Sequence, residues 1–183
     1  MLIYLPLFIL GALVMWFILT YNSLIMLHQR VKNAWSQIDV QLKRRHDLIP
    51  NLIEVAKGYM AHERQTLENV IKARTQATQA TAIKDKAEAE NFLTSTLRSL
   101  FAVVENYPDL KANQNMLKLH EELTTTENRV SFARQYYNDE VMFYNTAIKR
   151  IPNNIVASLA NFRKEEFFEI EEPTHRETPQ VKF

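Results

Sequence analysis

The chain has 183 residues, 22 Lys+Arg against 21 Asp+Glu, no cysteine, and only two glycines, Gly11 and Gly58. That length suits one modest domain once any anchor is set aside, and so neutral a balance lacks the basic footprint of a nucleic-acid binder. Without cysteine there is no disulfide framework, thiolate metal site or cysteine nucleophile; two glycines cannot serve the many tight turns of a sandwich, barrel or α/β sheet.

The first 19 residues are almost entirely apolar, Thr20 is the first clearly polar residue, and no charged side chain precedes Arg30. A helix needs roughly 20 apolar residues to cross a bilayer, and this stretch supplies them. Pro6 sits in the first turn, where a missing N–H costs little, and Trp16 and Tyr21 fall where an interfacial aromatic belt would lie. A cleaved signal peptide fits less well, because the start carries no lysine or arginine and Thr20-Tyr21-Asn22 is a poor cleavage site. Arg30 and Lys32 follow the anchor, then Lys43, Arg44 and Arg45. The positive-inside rule therefore places the N-terminus outside and the bulk of the chain in the cytoplasm.

The next helix is expected to continue from the anchor to about Gly58, with Pro50 either kinking it or opening a new one. Its apolar stripe reads Val31, Trp35, Ile38, Leu42, Ile49, Leu52, Ala56 and Tyr59. A second helix is predicted over about His62–Ala80, with a narrow alanine-rich stripe, and a third over about Lys84–Asn106, ended by Pro108. A fourth and longest helix is predicted from Asp109 to about Ile151. Its stripe reads Leu110, Leu117, Leu123, Val130, Tyr137, Val141, Tyr144, Ile148 and Ile151. The fold class is therefore all-α: one transmembrane helix, then an up-and-down bundle with two long and two shorter helices. The division follows as 1–27 anchor, 28–162 helical bundle, and 163–183 acidic and polar tail.

Charges interrupt the stripes. Glu127 and Arg134 share heptad register with Val130 and Tyr137, while Arg45 and His46 lie between Leu42 and Ile49. Buried charges must pair, so these predict a polar seam with pairing across the helices, Glu127 with Arg134 as one pair to test; it binds something, sets helix register, or turns its charges out to solvent at the surface. Tyr137-Asn138 and Tyr144-Asn145 recur one heptad apart, which puts both tyrosines on one face, suited to a helix seam or a partner surface. If only two long helices cover each other near the membrane, Trp35, Ile38, Tyr137, Val141 and Tyr144 stay partly exposed in a monomer, and the chain self-associates.

Chemistry-bearing motifs are missing. There is no HExxH, no phosphate-cradling glycine loop and no G-x-S-x-G elbow, and the five histidines are scattered. Glu121-Glu122 and Glu165-Glu166 read as solvated pairs. No enzyme, cofactor, metal site or nucleic-acid partner is expected.

From Ala34-Trp35-Ser36-Gln37-Ile38-Asp39 through Arg45-His46-Asp47-Leu48-Ile49-Pro50-Asn51-Leu52, the chain closely resembles the LemA family. Lys57-Gly58-Tyr59, Tyr107-Pro108-Asp109-Leu110-Lys111-Ala112-Asn113, Thr126-Glu127-Asn128-Arg129-Val130, Ala133-Arg134, Tyr137-Asn138, Tyr144-Asn145 and Phe167-Phe168-Glu169 extend the match. The chain departs at Met60, where an alanine is more usual, and at Asn161-Phe162, where Gly-Phe is expected. The resemblance implies a helical bundle behind one membrane helix and no catalytic residues. It also implies envelope maintenance by association, with a TPM-domain protein or an HtpX-type membrane metalloprotease as partner. A membrane-anchored, self-associating scaffold or adaptor in envelope maintenance or membrane-protein quality control is the function expected. The alternative is a membrane-shaping or lipid-organising assembly.

Overall fold

A computed structural model describes residues 4–60 and 62–168. Six helices follow in order: α1 (Tyr4–Lys57), α2 (Arg64–Gln79), α3 (Ile83–Val104), α4 (Pro108–Lys111), α5 (Gln114–Ala147) and α6 (Asn153–Leu159). Among the described residues there is no strand, and the all-α expectation holds. The tail from 169 onward lies outside the described residues.

α1 is one unbroken helix of 54 residues, about 80 Å long. Pro50 lies inside it, so the helix runs on where Pro50 left open a kink or a new start. Tyr4–Leu19 is exposed on nearly every side, whereas from Thr20 onward buried positions recur at Leu24, Val31, Ala34, Ile38 and Leu42. The same helix therefore changes from apolar all round to striped, the pattern of a candidate membrane span that becomes a bundle helix.

The described residues divide into two compact units. The first comprises α1 as far as Asn51 and the chain from Leu117 to Phe167. Here α1 and α5 run antiparallel: His28 stacks on Tyr144 and Trp35 meets Tyr137 edge-on, one heptad along α1 against one heptad back along α5. The stripes largely match expectation, with Leu123, Val130, Tyr137, Val141 and Tyr144 all buried.

The second unit contains the end of α1, then α2, α3, α4 and the first residues of α5. Ala80, Thr81 and Ala82 alone connect α2 to α3, so the two form an antiparallel hairpin. Ala73 and Ala77 are fully buried on α2 and allow close approach, while α3 contributes Leu93, Leu97, Leu100 and Val104. Pro108 opens α4 at its first position, where no intrahelical N–H is needed.

Two expectations fail at the ends of the predicted fourth helix. The helix breaks after Lys111, because Asn113 Oδ1 accepts from the N–H groups of Asn115 (2.9 Å) and Met116 (3.2 Å) and so caps a fresh start. That restart buries Met116 and leaves Leu117 exposed. At the other end α5 stops at Ala147, and Ile151, expected on the buried stripe, is exposed. α6 then closes with a Schellman motif: Phe162 N donates to Ala157 O at 2.9 Å and Asn161 N to Ser158 O at 3.2 Å. Asn161 adopts φ 57°, the left-handed conformation that glycine enters most cheaply and asparagine next. The position where glycine is the usual residue is thus one that demands it, and asparagine is the tolerated substitute.

Candidate functional site: a polar seam under a C-terminal strap

The seam of the first unit is built from the two long helices. Arg45, on the buried stripe of α1, is only 1% exposed, and its Nη2 lies 3.2 Å from Glu127 Oε2 on α5. One buried guanidinium is thereby matched to a half-exposed carboxylate that keeps access to water, which lowers the desolvation cost of the pair. Glu127 therefore meets a cation on the facing helix. Arg134 is half-buried one heptad further along α5 and is itself engaged in an interaction there. His46 is buried beside Arg45 in sequence. Arg44 reaches Glu122 at 3.8 Å, a solvated contact worth little.

Trp35, Tyr137 and Tyr144 lie on the same seam but are not left open as the two-helix picture required. Tyr137 and Tyr144 are buried and Trp35 half-buried, because residues after α6 run back over them. Tyr137 Oη donates to the Glu166 carbonyl at 2.8 Å. Asn145 holds the Glu165 peptide at both ends: its Nδ2 donates to the carbonyl at 2.9 Å and its Oδ1 accepts from the N–H at 3.0 Å. The Glu165 carboxylate meets His28 Nε2 at 2.9 Å, and His28 in turn stacks on Tyr144, ring centroids 5.2 Å apart. Phe162 packs against Tyr21. Residues 162–167, of which 163–167 fall in the polar tail expected from composition, form a strap along the seam.

The strap sets the electrostatics. Burial pushes the Tyr137 hydroxyl up to about 12, with the Glu165 and Glu166 carboxylates adding to it. Burial likewise raises Tyr144, again helped by Glu165. On the opposite side of α5, the Glu140 carboxylate raises Tyr136. These shifts favour neutral tyrosines that donate hydrogen bonds; they poise no nucleophile near neutral pH.

A second feature of this unit was missed. Ser36, Gln37, Val40 and Gln41 of α1 and Arg129, Phe132, Ala133 and Tyr136 of α5 line a shallow groove of about 570 Å³. Val40, Phe132 and Tyr136 are exposed there. Gln41 Oε1 is buried with no hydrogen-bond partner among the described residues. The four-residue step from Phe132 to Tyr136 is visible in the sequence, but it lies off the buried apolar phase of α5. No group of three or more His, Asp or Glu placed to hold a metal occurs among the described residues.

Comparison with known proteins fits this layout. The LemA family pattern matches residues 34–183. Magnetosome protein MamQ 2 of Paramagnetospirillum magneticum is 22% identical over 83% of this chain, which spans 65% of that protein. Magnetosome protein MamQ of Magnetospirillum gryphiswaldense is 22% identical over 90% of the chain and 71% of its own length. Protein LemA of Metamycoplasma hominis is 26% identical over 74% of the chain and 63% of its own length. With the exposed apolar start of α1, these similarities mark a membrane-associated protein.

Proposed function

The chain belongs to the LemA family, and from that premise we propose that it is a membrane-anchored helical scaffold or adaptor serving cell-envelope maintenance or membrane-protein quality control. It works by presenting surfaces, without turning over a substrate. The observation that carries this reading is α1 itself: one continuous helix joins a fully exposed apolar segment to the seam and the groove. A helix with no break transmits position, so whatever docks on the bundle is held at a set distance from the bilayer. The N-terminus lies outside and the bundle in the cytoplasm, in keeping with Arg30 and Lys32 after the span.

The scaffold self-associates, and the groove at Val40, Phe132 and Tyr136 is where a second copy docks. Anchoring confines all copies to one plane and one orientation, raising their effective concentration without new contacts. This exposed apolar surface replaces the seam tyrosines as the basis for self-association, since the strap covers them.

Cross-linking in native membranes, followed by affinity purification of the full chain, tests the scaffold. Recovery of copies linked through the groove, together with a second membrane protein (a TPM-domain protein or an HtpX-type metalloprotease among the candidates), is the expected result. A chain that is monomeric and partnerless in its native membrane would sink the reading. Reconstitution into liposomes separates the alternative, because only a membrane-shaping assembly should change vesicle form. Protease added to intact spheroplasts should leave the bundle uncut.

A further inference from the structure

We infer that α6 and its flanks form a second, interfacial membrane contact that binds an anionic lipid surface beside the anchor; this rests on reading the start of α1 as membrane-spanning. Ile155 and Leu159 lie one turn apart on α6, and Ile151 stands in the turn just before it. They are 55%, 73% and 79% exposed, respectively. A short helix carrying such a face in water exposes apolar surface to no purpose, whereas at a bilayer boundary the same face is buried among acyl chains.

The position of α6 brings it to that boundary. The apolar run ends at Leu19 and Thr20 is the first clearly polar residue, so the edge of the apolar layer falls close to Tyr21. It is Tyr21 that the Phe162 ring meets at 5.7 Å. The antiparallel register set by His28 and Tyr144 carries Ile148 toward the same level, one helical turn on from Tyr144 as Leu24 is one turn back from His28. Both are buried.

Charge selects the lipid. Lys149, Arg150, Arg163 and Lys164 flank α6 and are all exposed, and no Asp or Glu occurs between Val141 and Lys164. No acidic residue occurs on the facing chain before Asp39 either. Lysines and arginines grouped within reach of a bilayer are drawn to anionic headgroups, and the attraction is screened over about 10 Å at ordinary salt. The exposed isoleucines and leucine enter the interface while the four cations stay at headgroup level.

The natural chain has no cysteine, so single labels report depth directly. Full-length chains carrying Ile155→Cys, Leu10→Cys or Lys118→Cys, each labelled with an environment-sensitive fluorophore, are placed in nanodiscs with or without phosphatidylglycerol. The Leu10 label reports the anchor, and the Lys118 label an exposed position on α5 outside the groove. In phosphatidylglycerol discs the Ile155 label should be blue-shifted and quenched by shallow lipid-borne nitroxide several-fold more strongly than the Lys118 label. Replacing Arg163 and Lys164 by glutamine, or raising the salt, should reverse much of that quenching. An Ile155 label as wet as the Lys118 label beside an embedded Leu10 label would overturn the inference and leave the anchor standing. Wet labels at both Ile155 and Leu10 would overturn the two together, and equal embedding in purely zwitterionic discs would overturn the choice of anionic lipid.

Discussion

The α2–α3 hairpin and the α1–α5 pair solve the same packing problem by different means. In the hairpin the partners are near neighbours in sequence, the connection is three residues, and Ala73 and Ala77 let the backbones approach closely. The long pair joins residues far apart in sequence, from Arg44 with Glu122 to His28 with Tyr144. Its stripe repeats with so regular a period that neighbouring registers, a heptad apart, would bury nearly as much apolar surface. Arg45 with Glu127, the Asn145 clasp and the His28–Glu165 contact are directional, and together they remove that degeneracy. Local geometry can set register cheaply; distant segments need directional groups.

The largest test removes a directional group from the long pair. Glu127→Gln strips the charge partner from a guanidinium that is 1% exposed, and should cost about 3 kcal/mol in chemical denaturation of the detergent-held chain. The double change Arg45→Met with Glu127→Leu should restore most of it. A cost near zero would mean that charge does not hold the register.

Alkaline pH attacks the same pair through Tyr137. A folded-state value of about 12 against an ordinary 10 means that the folded protein keeps a proton the unfolded chain has lost. Stability is therefore full below pH 10 and falls as pH climbs toward 12, by about 2–3 kcal/mol for a two-unit shift. Tyr137→Phe should flatten that limb while costing about 1 kcal/mol near neutrality for the lost bond to Glu166. Unfolding curves taken between pH 9 and 12 decide, and an unchanged alkaline limb in the variant would assign the effect elsewhere.

The hairpin should respond to bulk instead. Ala73→Leu overfills a fully buried contact and should cost about 1–3 kcal/mol, read from the melting of the chain. Ala73→Ser, which adds a hydroxyl but little volume, should cost less; the reverse order would say that polarity governs this region too. The smallest effect is a gain. Asn161→Gly places the more permissive residue at φ 57° and should stabilise the α6 terminus by up to about 1 kcal/mol. Amide exchange at Phe162 is the sensitive readout, and faster exchange there would contradict the strain argument.

Periodicity made most of the helices legible. The continuous α1, the alanine stripe of α2, the leucine stripe of α3 and the heptads of α5 all follow from apolar spacing. The Asn113 cap did not, because an asparagine amid helix formers signals a start only when its side chain turns back on the next two N–H groups. The strap was hidden for a related reason. Tyr137 and Asn145 grip peptide groups of Glu165 and Glu166, and a backbone partner leaves no mark in side-chain pattern. A hint existed nonetheless: tyrosines on a buried stripe must satisfy their hydroxyls somewhere. The Arg45–Glu127 pair was half legible, since the need for partners was clear while the choice among them depended on the register.

The strap also dictates an order of events during synthesis. His28 leaves the ribosome 137 residues before Glu165, its partner. The α2–α3 hairpin can close as soon as Val104 emerges, and the contacts between its two helices are local. By contrast, the α1 face that carries Trp35 and Arg45 must wait for Tyr137 and Glu127 of α5, and His28 must wait for the strap, already tethered if the anchor has inserted. At roughly 5–20 residues per second the wait of His28 lasts on the order of ten seconds. Truncation before Asn161 would leave Tyr137, Asn145 and His28 without the strap for good, so nascent chains stalled there should bind holdase chaperones that the finished protein does not.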